Sequence, residues 1–137
     1  MRTVLGTGVG VFILMQLVPV GHDHDNPPVT GATPWPSQLS EEIARAACYD
    51  CHSHETRWPP YAYVAPMSWL TRWDVERGRD ELNFSDWDDG DADDAAEAVL
   101  DGEMPPWRYT LMHRDAALSD EEEATLVAAL LAMEERD

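Results

Sequence analysis

Apolar and polar positions divide the chain into an apolar start, a proline-rich stretch and an amphipathic remainder. Residues 3–20 carry no charge and follow Arg2. As a helix, this run would span about 27 Å, close to the apolar thickness of a membrane. A secretory signal peptide would end in a small-x-small cleavage site, and Val18-Pro19-Val20-Gly21 is a poor match. We therefore predict a hydrophobic helix in segment 1–21, as an uncleaved membrane anchor in preference to a removed signal.

The stretch 22–36 is rich in proline and poor in apolar residues. Its prolines are Pro27, Pro28, Pro34 and Pro36. Because proline interrupts regular structure, we predict an extended tether here. The remaining residues, 37–137, have a suitable length for one domain.

The first half of the domain predicts two helices separated by a loop. One begins at an N-cap, Ser40, and runs into Cys48. Prolines and aromatic residues at 56–63 predict a loop. A second helix opens at Pro66, carries apolar side chains at three- and four-residue spacing, and ends near Gly78.

The second half predicts two further helices. A third covers 93–101, with Val99 and Leu100 facing inward and Gly102 as its stop. A fourth begins at the capping box Ser119–Glu122. Its buried stripe is predicted to be Leu126, Val127, Leu130 and Leu131. Since no strand pattern and no internal repeat occur, the predicted fold class is all-α.

The charge balance is strongly acidic, with 27 acidic residues against nine basic residues, all of them arginine. An acidic face for cationic redox partners is one interpretation. A solvated, halophile-type surface is the preferred one, because the chain contains no lysine at all. We expect no nucleic-acid partner.

The two cysteines of the chain lie together in Cys48-Tyr49-Asp50-Cys51-His52. A C-x-x-C-H sequence is typical of c-type haem attachment. Cysteines three positions apart share one side of a helical turn, where each can form a thioether to a porphyrin vinyl group. His52 is then the proximal iron ligand. We predict one covalently bound haem c.

Three other uses of these cysteines fit the sequence less well. A thioredoxin-like dithiol needs a βαβ setting, which the pattern lacks. A structural zinc site needs a second ligand pair. A plain disulfide would leave His52 without a role.

An electron-transfer haem usually has a second axial ligand, commonly methionine. Met104 is preferred, because the two prolines that follow it force an extended loop that can present its thioether. His113 is the main alternative, and an open site is the next. His54 lies too close to His52 in the chain to reach the opposite face. Met67 and Met112 are assigned to a helix start and to packing.

Aromatic side chains are expected to form the walls of the haem site. The predicted cofactor contacts are Trp58, Tyr61, Trp69 and Trp107, with Tyr63 and Tyr109 as further candidates. Candidate partners of the haem propionates are Arg57, Arg72 and Arg108, for which surface solvation is the alternative.

Two other metal-site patterns are weak. His22 and His24 have no further clustered ligand and are interpreted as part of a polar segment. In the aspartate run at 86–91 the glycine lies one position early for an EF-hand, so a solvated turn is preferred to a calcium loop.

Several longer strings resemble those of a known family. These are CYDCHSHETRWP at 48–59, VAPMSWL at 64–70, ELNFSDW at 81–87 and GEMPPWRYTL at 102–111, with NPPVT at 26–30. They are similar to the small bacterial haem-binding domain proteins with a C-x-x-C-H motif, over nearly the whole chain. The resemblance implies a membrane-anchored or exported monohaem protein.

Together these features predict a small cytochrome c-like domain of three to four short helices around one covalent haem, preceded by an N-terminal hydrophobic helix. The expected function is single-electron transfer on the periplasmic side of the cytoplasmic membrane, with an exported redox protein as partner and membrane contact through the N-terminal segment. One alternative is a haem-based sensor or small-ligand binder with an open distal site. A peroxidase-like enzyme ranks last, since His113 or His54 would have to act as the distal acid–base group.

Overall fold

Helices form the regular secondary structure of the chain. The computed structural model describes residues 2–31, 33–87 and 92–134, and no strand occurs within these ranges. The helices are α1 (Arg2–Gln16), α2 (Gln38–Ala47), α3 (Tyr49–His52), α4 (Met67–Glu81), α5 (Ala92–Leu100), α6 (Trp107–Thr110) and α7 (Asp120–Glu134). Short 3₁₀ turns occupy Pro60–Tyr63 and Arg114–Ala116. The predicted all-α class is confirmed.

The hydrophobic core lies between α2, α5 and α7. It comprises Ile43 and Ala44 of α2, Tyr49 of α3, Phe84 from the segment after α4, Ala96 and Val99 of α5, and Leu126, Val127, Leu130 and Met133 of α7. The predicted capping box starts α7 as expected, since the Ser119 backbone N–H donates to the Glu122 carboxylate at 2.9 Å. This bond fixes where α7 begins and therefore which of its faces meets α5.

Two residues predicted to face inward lie outside the core. Leu100 is 61% exposed and Leu131 is 44% exposed. Each directly follows a buried residue, Val99 or Leu130, and successive helical positions are turned by about 100°. The buried stripe is therefore narrower than the run of apolar residues in the sequence.

Helix α2 begins three residues before the predicted start. Ser37 is its N-cap, and the Ser37 hydroxyl accepts from the Ser40 backbone N–H at 3.1 Å. Ser40 lies within the first turn and is buried. Ser40, the predicted N-cap, is thus the residue whose backbone N–H the observed N-cap, Ser37, binds.

Helix α4 passes very close to the one-turn helix α3 at Gly78. A Cβ atom on Gly78 would lie 2.6 Å from the Cys51 carbonyl oxygen. Gly78 does not end the helix, as the sequence suggested, because α4 continues to Glu81. The missing side chain instead permits close approach of two backbones.

The N-terminal helix is shorter than the predicted membrane-crossing helix over 1–21. Helix α1 covers 15 residues, a length of about 22 Å. It ends at Gln16 because Pro19 disfavours helical backbone at the preceding residue. Within the described ranges, no helix has the length and apolarity needed to cross a membrane. The expected membrane-crossing helix is therefore not supported.

The proline-rich stretch 22–36 lies against the domain. The Asn26 amide donates to the Thr56 carbonyl at 3.0 Å, and the Gly31 backbone N–H donates to the Ser85 carbonyl at 3.0 Å. Further towards the N-terminus, the Gln16 amide donates to the Ala65 carbonyl and accepts from the Ala65 N–H. These bonds join the segment and Gln16 to the loop residues Thr56, Ala65 and Ser85.

We predict that Gly78→Ala lowers the free energy of unfolding by about 1–3 kcal/mol, as expected when a methyl group is forced into a packed contact. Alanine raises helix propensity by about 1 kcal/mol, so any net loss reports the overlap with Cys51. The matched control is Gly8→Ala in α1, where a Cβ meets nothing within 4 Å. Thermal unfolding of both variants measures the difference. Equal stability of the two variants would contradict a tight contact between α3 and α4.

Candidate functional site

A cavity of about 510 Å³ opens beside the one-turn helix α3. Its walls come from α2 to α7, from the segment after α4 and from the loop between α5 and α6. The volume lies within the range of about 300–1,000 Å³ that is usual for sites binding organic molecules. The wall includes the buried side chains Phe84, Val99, Leu126 and Leu130, so it is largely apolar.

Cys48 and Cys51 line this cavity from two ends of one helical turn. The Cys48 carbonyl accepts from the N–H groups of Cys51 and His52, at 3.1 and 2.9 Å. The two thiols are free. Burial raises the pKa of each thiol to about 12, so both are protonated at neutral pH. The turn thus presents two thiols and an imidazole to one cavity.

His52 is held by the chain segment that follows α4. Its Nδ1 lies 3.2 Å from the Leu82 carbonyl oxygen. Because a carbonyl can only accept, Nδ1 carries the proton and Nε2 retains a lone pair. Burial lowers the pKa of His52, which favours the neutral ring. A neutral imidazole with its second nitrogen already bonded is the usual form of a metal ligand.

Met104 reaches the same cavity from the loop after α5. Gly102 turns the chain there with a φ of +69°, as its predicted role as a helix stop requires. The backbone N–H groups of Glu103 and Met104 both donate to the Ala98 carbonyl at 3.0 Å. Pro105 and Pro106, which follow, also line the cavity. The fold therefore brings Met104 to the cavity that Cys48, Cys51 and His52 line.

The alternative iron ligands do not line this cavity. His113 bonds through Nε2 to the Tyr61 hydroxyl at 2.7 Å and lines a separate cavity of about 80 Å³. Met67 and Met112 line that smaller cavity as well. His54 has both ring nitrogens bonded, to the Pro28 carbonyl and to the Asn83 amide, each at 2.8 Å.

The aromatic residues expected at a haem occupy other positions. Tyr61 lines the smaller cavity, and Trp107 is 76% exposed. Trp58 packs against His24, with ring centroids 4.5 Å apart. None of these three, nor Trp69, lines the large cavity.

The aromatic lining consists instead of Trp73, Phe84 and Tyr109. Tyr109 was among the wider set of candidates, whereas Trp73 and Phe84 were not assigned to the site. The only sequence signal for Trp73 is its helical register. It lies one turn before Arg77, which also lines the cavity.

Positive charge at the cavity comes from two arginines. Arg108 pairs with Asp74 at 2.9 Å, and Arg77 lies over the Trp73 ring at 5.2 Å from its centroid. Arg108 was one of the three arginines predicted here. The other two, Arg57 and Arg72, form ion pairs elsewhere, with Asp50 and with Asp23 and Glu76.

The weaker metal-site patterns receive no support. In the described ranges, no group of three or more histidine, cysteine or acidic side chains is placed to hold an ion. His24 instead bonds the Ala62 carbonyl at 3.0 Å. Most of the calcium-like aspartate run lies outside the described residues.

The comparison with protein families indicates which ligand the domain binds. The family model described as a haem-binding domain matches residues 10–131. The chain belongs to the haem-binding domain family. No curated protein and no solved structure gives a significant match. The matched range includes every residue named above as lining the large cavity, so this haem-binding domain has a site of suitable size within the region that defines its family.

The residues around the cavity fit haem chemically. Phe84 and Leu126 offer apolar contact, and the neutral imidazole of His52 suits iron. Arg77 and Arg108 also line the cavity, where they pair with Glu81 and Asp74 of the same wall, and they could pair with haem carboxylates in exchange. When bound, haem would supply an iron centre that changes oxidation state or binds small molecules.

We predict that Ala98→Phe lowers the haem content of the purified domain several-fold. Ala98 lines the cavity from α5, and a phenyl ring there would occupy space that the ligand needs. The matched control is Ala128→Phe on the exposed face of α7, away from the cavity. The measurement is the ratio of haem to protein after expression of both variants. A normal ratio in Ala98→Phe would place haem elsewhere.

Proposed function

We propose that this haem-binding domain is a c-type single-electron carrier. Cys48 and Cys51 would hold the haem covalently, and His52 and Met104 would be the axial ligands of its iron. The observation that carries the proposal is that all four side chains line one cavity of about 510 Å³. Met104 comes from a distant part of the chain, so local sequence alone does not account for its position.

Covalent attachment is supported by two unpaired thiols on a single helical turn. Each thiol would add its sulfur to one carbon of a vinyl group and its hydrogen to the other, so neither thioether requires an oxidant or a reductant. Burial holds both thiols protonated, with pKa values of about 12. We therefore expect haem attachment to depend on dedicated machinery that acts on the unfolded chain.

Ligation from both faces is supported by the states of the two side chains. The Leu82 carbonyl orients the His52 ring and leaves Nε2 available. Met104 offers a thioether, a ligand that raises the reduction potential of haem iron. With both axial positions filled, His52 and Met104 would leave no site for a small molecule, which favours electron transfer over catalysis.

A ligand-sensing role is the second candidate, and one observation favours it. Met104 lies on a loop and is 38% exposed, so an incoming ligand could displace it without disrupting a helix. A peroxidase-like role has less support. Neither His54 nor His113 lines the cavity, and both have hydrogen-bond partners elsewhere.

The proposed location is the outer side of the cytoplasmic membrane, with an exported redox protein as partner. The uncharged run at 3–20 supports export. The proposed haem c supports the same compartment, because its attachment takes place outside the cytoplasm. The acidic surface, with a formal net charge of −18, would favour a cationic partner and an association that weakens with salt.

We predict that the double variant Cys48→Ser/Cys51→Ser loses all haem on extraction with acidified acetone, whereas the unaltered protein retains it. Serine removes both thioethers and leaves the turn itself in place. Absorbance of the protein pellet measures retention. Complete extraction from the unaltered protein would rule out covalent attachment and leave a non-covalent haem protein.

We predict that Met104→Ala converts a low-spin ferric haem into a form that binds imidazole and, once reduced, carbon monoxide. The matched control is Met112→Ala, an exposed methionine that does not line the large cavity. Optical spectra before and after ligand addition give the answer. A Met104→Ala spectrum that stays low-spin would exclude Met104 as the distal ligand.

A further inference from the structure

The loop that carries Met104 is joined to the cysteine turn by a side-chain contact that the proposed ligands do not involve. The Tyr109 hydroxyl donates to Asp50 Oδ2 at 2.8 Å. Asp50 lies between the two cysteines on α3, and Tyr109 lies on α6, five residues after Met104. This Asp50–Tyr109 contact therefore spans the two chain segments that would meet at the iron.

Asp50 is also held by contacts other than that with Tyr109. It is buried, at 7% exposure. Its Oδ1 accepts from the Arg57 backbone N–H at 3.0 Å and from Arg57 Nε at 3.2 Å. A buried carboxylate with charged and backbone donors is a strong acceptor. Its charge-assisted hydrogen bonds are stronger than those between neutral groups.

The Tyr109 side chain and backbone also have fixed partners. Its ring stacks on His113 with centroids 4.3 Å apart and planes at 9°. Burial and the negative charge of Asp50 raise the pKa of Tyr109, so the hydroxyl keeps its proton and remains a donor. The Tyr109 backbone N–H also donates to the Pro106 carbonyl at 2.9 Å. Only Pro105 and Pro106 separate Met104 from α6, and proline fixes their φ angles.

We infer that Tyr109 is a positioning residue, whose bond to Asp50 holds the Met104 loop over the cavity and sets how readily Met104 leaves the iron. This inference rests on the proposed function, because it takes Met104 as the distal ligand. The loop has another tie at its start, where the Met104 N–H donates to Ala98. Loss of the Tyr109 bond should therefore loosen the loop without unfolding it.

The test is Tyr109→Phe in the haem-loaded protein, which keeps the ring and its stacking and removes only the hydroxyl. We expect ferric Tyr109→Phe to bind imidazole at least about tenfold more tightly than the unaltered protein, a change of about 1.4 kcal/mol in apparent affinity. The physical reason is that apparent affinity rises with the fraction of molecules in which Met104 is displaced. Haem content is measured in parallel, so that imidazole affinity is compared per molecule of bound haem.

The matched control is Tyr63→Phe, since Tyr63 is 56% exposed and lines neither cavity. In an Asp50→Asn background, Tyr109→Phe should add much less than it does alone, because the two groups form one contact. Additive effects would overturn the role given to Asp50. Equal imidazole affinity in Tyr109→Phe, Tyr63→Phe and the unaltered protein would overturn the inference.

Met104→Ala separates failure of this inference from failure of the proposed function. If Met104→Ala opens the site and Tyr109→Phe does not alter imidazole binding, the ligand assignment stands and the positioning role is wrong. If Met104→Ala leaves the spectrum unchanged, the ligand assignment fails, and the role of Tyr109 fails with it.

Discussion

The close approach of α4 to α3 at Gly78 is the constraint on which the site depends. A side chain there would overlap the Cys51 carbonyl at 2.6 Å, so the two backbones touch only because residue 78 lacks one. This contact places Leu82, just past the end of α4, where its carbonyl can bond His52 Nδ1. It also lets Trp73 and Arg77 reach the cavity beside the cysteines. This one packing contact therefore places the two thiols, orients the imidazole ring and forms part of the cavity wall.

The core of the domain is small for the number of helices that it holds together. About half of its buried apolar residues are alanines, including Ala44, Ala62, Ala96 and Ala129. Small side chains bury little area, and each contributes correspondingly little to stability. The large cavity lies beside this core and shares Val99, Leu126 and Leu130 with it. A flat apolar group in the cavity would extend the core on the side where the protein supplies few large side chains of its own.

Local features of the sequence predicted local structure well. The C-x-x-C-H turn, the α7 capping box and the stop at Gly102 depend on neighbouring residues, and each occurs where it was expected. Met104 lies on the cavity, in a loop that two following prolines restrict. Its role as iron ligand remains a prediction.

Features that depend on tertiary packing could not be predicted in the same way. Aromatic composition does not tell which rings meet at a cavity, so Trp58, Tyr61, Trp69 and Trp107 were assigned to it and Trp73 and Phe84 were not. Which of two adjacent leucines is buried depends on the angle at which a helix meets its neighbour, as Leu130 and Leu131 illustrate. The role of Gly78 becomes visible only when α3 and α4 are placed together.

The hydrogen bonds of His54 have a consequence for how the protein selects its ligands. A chain with two imidazoles two positions apart, at His52 and His54, offers an incoming iron two competing donors. His54 Nδ1 donates to the Pro28 carbonyl, and its Nε2 accepts from the Asn83 amide, so Nε2 could bind metal only by giving up the Asn83 bond. The Asn83 amide thus occupies the nitrogen through which His54 would compete for iron, and correct coordination would depend on the folded chain as well as on the C-x-x-C-H motif.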